Sequence, residues 1–131
     1  MTAVVLDASA GVEIALQTPV GRTLQGRLPS NVVPWVPEHY FAEVASVLRR
    51  QVILKRETEA RMALALDRLR SAPMRRVSVR PLLDEAWAFR HNMTIADALY
   101  VVVARHLDAP LVTTDTKLAG APQLPVTTIT P

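Results

Sequence analysis

The sequence predicts an α/β fold, a three-layer α/β/α sandwich around a mainly parallel central sheet. Three observations carry that expectation. Short apolar runs alternate with helix-like segments along all 131 residues, the pattern of strands joined by crossover helices. Two of those runs, VVLDASA from Val4 and LVTTDTKLA from Leu111, lead straight into an aspartate followed by a helix or turn. A third stretch, IADALYVVVA from Ile95, is too apolar for a solvent-facing helix and reads as a buried one.

The elements follow in order. Residues 3–6 form a strand and 8–16 a helix. Thr18 caps a short helix to about 27 with Pro19 at its first position. Pro29 and Pro34 bracket a loop, and VVPWV at 32–36 is a short strand or extended segment. Pro37 opens a helix through HYFAEVASVLRRQVIL, with Tyr40, Phe41, Val44, Val47, Leu48 and Val52 on one face. A charged helix covers about 57–70. RVSVR at 76–80 alternates as a strand does, and Pro81 opens a helix to about 91. Thr94 caps the buried helix, which runs to about 107. LVTT and PVTTI, the latter at 125–129, are the last two strands.

A chain of this length reads as a single domain, 1–131, large enough for a real core. Half its residues are hydrophobic, which argues against disorder. The absence of cysteine excludes a disulfide framework and thiolate metal sites, and it fits a cytoplasmic protein. MTAVVLDASA lacks the basic start of a secretory signal, and the longest later apolar run, around LYVVVA, is far short of a membrane span.

The formal charge is only +3. Residues 49–80, however, carry ten basic against three acidic side chains, and thirteen of the fifteen basic residues are arginine. Arginine favours bidentate contacts to phosphate or carboxylate, although a solvated helical surface explains such a run equally well.

Four carboxylates are the candidate chemistry. Asp7 and Asp115 end strands, and ligands gather beyond the carboxyl ends of parallel strands. Taken singly, each also reads as a helix N-cap. Asp97 is the one ionisable carboxylate in its apolar stretch, where an unpaired charge is costly; the competing reading is a capping arrangement with Thr94. Glu43 falls just outside its helix's apolar stripe, on the side of Arg50, and alone reads as a surface glutamate. Carboxylates about 4 Å apart repel by ~4 kcal/mol at an effective dielectric near 20. A fold that converges several of them needs a cation or a shared proton. Oxygen donors without cysteine point to Mg²⁺, with Mn²⁺ as an alternative. His39, His91 and His106 show no ligand pairing and read as surface or polar-core residues. Such an ion activates water and stabilises charge on a phosphodiester, and a basic rim suits a polyanion.

VVLDASA, PEHYFAEVASVLRR, HNMTIADALYVVVAR and LVTTDTKLA, in this order and spacing, resemble a PIN-domain protein of the VapC type, the ribonuclease toxin of a toxin–antitoxin pair. The resemblance spans essentially the whole chain. It implies a Mg²⁺-dependent endoribonuclease with Asp7, Glu43, Asp97 and Asp115 as catalytic acids. Asp7 and Asp97 match the usual metal ligands. Glu43 and Asp115 match the remaining acids, with Asp115 expected near the metal as well. Ser9 and Thr113 match hydroxyl positions beside the acids, and their competing roles are capping and strand-edge packing. Many relatives carry a further acid or amide after the last aspartate, where this chain has Thr116, Lys117 and Leu118; Lys117 becomes a candidate RNA contact. The resemblance further implies an RNA substrate, a homodimer, no membrane association, and a cognate antitoxin that blocks the acidic pocket. The segment 38–70, with Tyr40, Phe41, Trp35 and Trp87, is the candidate contact region, although such aromatics are commonly core.

Competing functions are weaker. A phosphatase of the haloacid dehalogenase type needs a second aspartate two residues after the first, where Ser9 stands. A Rossmann or P-loop nucleotide site needs a glycine-rich loop, and only four glycines are present. A catalytically silent RNA- or partner-binding protein of the same fold is the alternative from a different class.

Overall fold

The computed structural model describes residues 3–131. Five strands form one sheet in the order β3-β2-β1-β4-β5: β1 Val5–Leu6, β2 Trp35–Pro37, β3 Arg75–Val77, β4 Leu111–Val112 and β5 Thr128–Ile129. Every pairing is parallel; Val5 sits opposite Trp35 on one side and Leu111 on the other. All carboxyl ends therefore share one edge of the sheet. The strand order reverses direction between β1 and β4, the place where parallel sheets open a crevice for ligands.

Among the described residues, seven α-helices connect the strands: α1 Ala8–Leu16, α2 Pro19–Gly26, α3 His39–Ile53, α4 Glu59–Ser71, α5 Leu83–Trp87, α6 Ile95–Leu107 and α7 Thr116–Ala119. Helices α1, α3 and α4 pack on one another, whereas α5 packs on α6, which crosses β1, β2 and β4. The helix α6 is buried continuously from Ala98 to Ala104. Tyr100, Val101, Val103 and Ala104 join the main core with the strands, while Ala98, Leu99 and Val102 form a smaller cluster with Ala86 of α5. Lying between two apolar layers is what makes an all-round apolar helix stable in water.

Close approach shapes the α1 side. A Cβ on Gly11 would fall 2.3 Å from the Tyr40 hydroxyl, so only glycine lets the buried Tyr40 ring of α3 lie against α1. Gly21 likewise admits the backbone carbonyl of Glu13, 2.2 Å from where a Cβ would stand. Arg68 of α4 donates to the Ala15 carbonyl at 2.8 Å, satisfying one of the free acceptors at the end of α1.

Four expected boundaries shift. Pro37 closes β2 instead of opening α3, pairing with Val77 at the end of the β3 ladder beyond the reach of the β1 pairing at Trp35. The strand expected at 76–80 is Arg75–Val77. The helix expected from Pro81 to about 91 divides into a 3₁₀ turn at Arg80–Leu82 and the short α5. The last strand covers only Thr128–Ile129 of the expected 125–129. Among the described residues, no helix is long and apolar enough to cross a membrane.

Candidate active site

The carboxyl edge of the sheet opens into a cleft of about 660 Å³ whose walls include Asp7, Glu43, Asp97 and Asp115. The fold brings together all four acids singled out from the sequence, from residue 7 to residue 115 and from four different elements. Asp7 follows β1 as N-cap of α1, Glu43 lies one turn into α3, Asp97 is in the first turn of α6, and Asp115 caps α7 after β4. Ser9, His39, Arg50 and Tyr100 line the same cleft.

Asp7 is the most enclosed, at 3 % exposure. Its Oδ1 accepts from the Ala10 N–H at 3.0 Å and from the Ser9 hydroxyl at 2.7 Å. Its Oδ2 accepts from the Thr113 hydroxyl. Burial nevertheless wins over these three donors and raises the Asp7 carboxyl above its ordinary range, with the nearby Asp115 charge adding to the effect. A carboxylate offers about four lone-pair sites, so one remains on Oδ2 for a further partner.

Thr113 and Ser9 are the hubs. Thr113 is fully buried, and its hydroxyl oxygen also accepts the Asp115 N–H at 2.9 Å. The Ser9 hydroxyl oxygen accepts the Thr114 N–H at 3.0 Å. The two β-strand ends are thereby tied together through the side chains that hold Asp7. Both hydroxyls thus donate to the Asp7 carboxylate.

The capping readings also hold, and they do not compete with the cleft. Asp115 Oδ1 accepts the N–H groups of Lys117 and Leu118 at 2.9 and 3.1 Å. Thr94 caps α6 by accepting the Asp97 N–H at 3.1 Å. A capping carboxylate points its remaining lone pairs outward from the helix end, and here four helix starts share one rim. Asp97 is half-buried, and its carboxyl is pushed up by burial and then by the charges of Asp115, Glu43 and Asp7. Carboxyls raised in this way and gathered in one cleft mark it as a candidate functional site.

Glu43, which reads from sequence as a surface side chain, instead faces the cleft. Its Oε1 accepts from the Tyr100 hydroxyl at 2.6 Å and lies 3.3 Å from His39 Nε2. Neither Tyr100 nor His39 was legible as a site residue: Tyr100 sat inside an apolar run and His39 lacked a ligand-spaced partner. The i, i+4 spacing of His39 and Glu43 was the available signal. Lys117 is exposed and is not among the residues lining the cleft. Trp87 is 58 % exposed, whereas Tyr40 is core.

Among the described residues, no three Asp, Glu or His side chains close around one ion-sized point. The acids form a shared oxygen-lined cleft instead of a finished cage. That donor set fits Mg²⁺, which binds through one or two carboxylates and keeps several waters.

A model of the PIN domain matches residues 4–123. The chain belongs to the PIN-domain family. Its PIN-domain relatives include two ribonucleases of Mycobacterium tuberculosis. Ribonuclease VapC12 is 35% identical over 116 residues, covering 88% of this chain and 89% of the relative. Ribonuclease VapC1 is 39% identical over 123 residues, covering 92% of each. Among solved structures, the M. tuberculosis VapC20 toxin superposes with a TM-score of 0.68 at 20% identity, over 98% of this chain and 99% of that one. This PIN domain thus has the expected fold and belongs with the VapC proteins.

Proposed function

We infer that the protein is a Mg²⁺-dependent endoribonuclease, the toxin of a type II toxin–antitoxin pair. The observation that carries this reading is the convergence of Asp7, Glu43, Asp97 and Asp115 on one cleft, with the Asp97 carboxyl raised by burial and then by the other three charges. The curated relatives that match nearly the whole chain are named as ribonucleases.

Asp7, Asp97 and Asp115 are the candidate holders of the ion, Mg²⁺ or Mn²⁺. When bound, it supplies Lewis-acid stabilisation of charge on the phosphate and a more acidic water. The chain's own residues do the rest. Ser9 and Thr113 fix the orientation of Asp7, and Thr113 also fixes the backbone at Asp115. Glu43 keeps Oε2 free of hydrogen bonds within the described residues, and this oxygen takes the proton from the attacking water. Arg50, on the cleft wall, meets a phosphate beside the scissile one. The exposed arginines of α3 and α4 and the exposed Lys117 are candidates for further contacts to the RNA backbone.

The antitoxin is the expected protein partner. Four large apolar side chains lie exposed within 38–70: Ile53, Leu54, Leu64 and Leu66. They support that segment as a contact surface for the antitoxin or for a second copy in a homodimer.

The test is cleavage of a mixed RNA pool by the purified chain in Mg²⁺ and in EDTA, with Asp7→Asn and Asp97→Asn alongside. The reading expects cutting that EDTA and either substitution abolish. Cutting that survives EDTA would remove the mechanism, and RNA binding without any cutting would favour the silent binding protein. Mapping of RNA ends after brief induction in cells then identifies the target.

A further inference from the structure

The helix that delivers Asp97 also delivers a clamp for Glu43. Tyr100 lies three residues after Asp97, on the same side of α6, and is 1 % exposed. A buried tyrosine hydroxyl needs a partner, and here the acceptor is a cleft carboxylate, Glu43 Oε1 at 2.6 Å. Phenylalanine would fill the same core volume, so packing alone does not explain the hydroxyl.

His39 completes the arrangement from α3. Its Nε2 lies 3.0 Å from the carbonyl of Ala96, the residue before Asp97, and 3.3 Å from Glu43 Oε1. Both neighbours are acceptors, so Nε2 carries the hydrogen. Nδ1 is buried without a hydrogen-bond partner among the described residues, so the hydrogen bonding of the ring is directed wholly at Ala96 and Glu43. The ring also packs on Tyr100, with centroids 4.7 Å apart. Two helices that each bring one acid are stitched together at those acids.

We propose that Tyr100 and His39 are positioning residues that hold Oε1 of Glu43, so that Oε2 alone works in the cleft. A free glutamate side chain samples several rotamers, and a misplaced base loses rate steeply. The clamp sets both the rotamer of Glu43 and its distance from Asp97. This inference rests on the ribonuclease reading for the reaction it serves, but not for the clamp itself.

The experiment compares wild type with Tyr100→Phe, His39→Gln, His39→Leu, Glu43→Gln and the Tyr100→Phe/Glu43→Gln double variant. One readout is the set of Glu43 side-chain NMR couplings in metal-free, RNA-free protein. The other is single-turnover RNA cleavage at saturating Mg²⁺, with melting temperature as the folding control. Tyr100→Phe is expected to average the Glu43 rotamers and to slow cleavage roughly 10- to 100-fold. The double variant should be no slower than Glu43→Gln alone. His39→Gln, which keeps a donor, should cleave faster than His39→Leu. Wild-type cleavage by Tyr100→Phe, or a Glu43 side chain that stays in one rotamer in it, overturns the proposal. Should Tyr100→Phe fail to fold, the His39 pair decides: equal rates for Gln and Leu overturn it. If wild type cuts no RNA while Tyr100→Phe releases Glu43, the ribonuclease reading fails and the clamp stands.

Discussion

Replacing Thr113 by valine tests whether the site is held by a hydroxyl or merely packed. Valine has nearly the same shape, and position 113 is fully buried, so no cavity opens. Two hydrogen bonds vanish together, along with the 3.2 Å contact to the Ser9 hydroxyl. Asp7 Oδ2 loses its donor, a bond to a charged group worth about 1.5–3 kcal/mol. The Asp115 N–H loses its acceptor at 2.9 Å, leaving a part-buried donor unpaired at about 1–3 kcal/mol. Burying a methyl in place of a hydroxyl returns roughly 1 kcal/mol. The net expectation is a loss of about 1.5–5 kcal/mol. With an unfolding entropy of roughly 2.1 cal/mol/K per residue, the melting temperature falls by about 5–18 °C. Urea unfolding measures the loss directly, with an unchanged m-value confirming that the folded state is comparable. Thr113→Ser keeps the hydroxyl and should lose only about 1 kcal/mol. A Thr113→Val protein within about 0.5 kcal/mol of wild type, or less harmed than Thr113→Ser, would refute the reasoning.

Asp97→Asn should trade activity for stability. In metal-free buffer it gains about 1 kcal/mol, or roughly 4 °C, while losing RNA cleavage and the melting-temperature rise that Mn²⁺ is expected to give wild type. The pH dependence has a defined sign. The Asp7 and Asp97 carboxyls are raised above 3.8 in the folded chain, so the folded state holds protons that the unfolded state releases. Their contribution is present below that value and is lost as pH climbs through the raised folded range. Exposed Glu85, lowered by hydrogen bonds from Arg105 and His106, pulls the other way. The diagnostic is therefore a shallower stability loss with rising pH in Asp97→Asn than in wild type. Gly11→Ala must displace the Tyr40 ring, whose atoms lie 2.3–2.7 Å from the added Cβ; a loss of about 1–3 kcal/mol in chemical unfolding is expected. Arg50→Ala should weaken RNA binding across sequences and lower the salt slope of log K by about 1, read by filter binding with the cleavage-dead Asp7→Asn chain.

The sheet and its helices were legible because apolar runs and caps are local signals. Thr18 and Thr94 cap helices where the sequence placed them, and Asp7 and Asp115 follow strands because parallel strands deliver their ends to one edge. The strands were overextended at 76–80 and 125–129, since only two or three residues of each pair with a neighbour. Alternation of apolar and polar residues does not reveal where hydrogen bonding stops. Pro37 misled for a similar reason: proline suits both the first turn of a helix and the end of a strand.

The site divides along the same line. Asp97 stood out because a charge in an apolar run is locally conspicuous. Glu43 did not, because its place depends on α3 lying beside α6. The Tyr100 and His39 contacts to Glu43 join residues 57 and 4 positions apart. A periodicity reading assigns tyrosine in an apolar helix to the core, and the core is indeed where its ring lies. Only the hydroxyl, at the edge of that core, belongs to the cleft.

The claim on which the proposed reaction depends is that these carboxylates share one divalent ion. Diffraction from crystals soaked in Mn²⁺, recorded for its anomalous signal, locates such an ion without reference to activity. The account predicts a single strong peak in the cleft, in contact with oxygens of Asp7 and of at least one of Asp97 and Asp115. A cleft without a peak at millimolar Mn²⁺, or a peak that touches only one of these carboxylates, would contradict it.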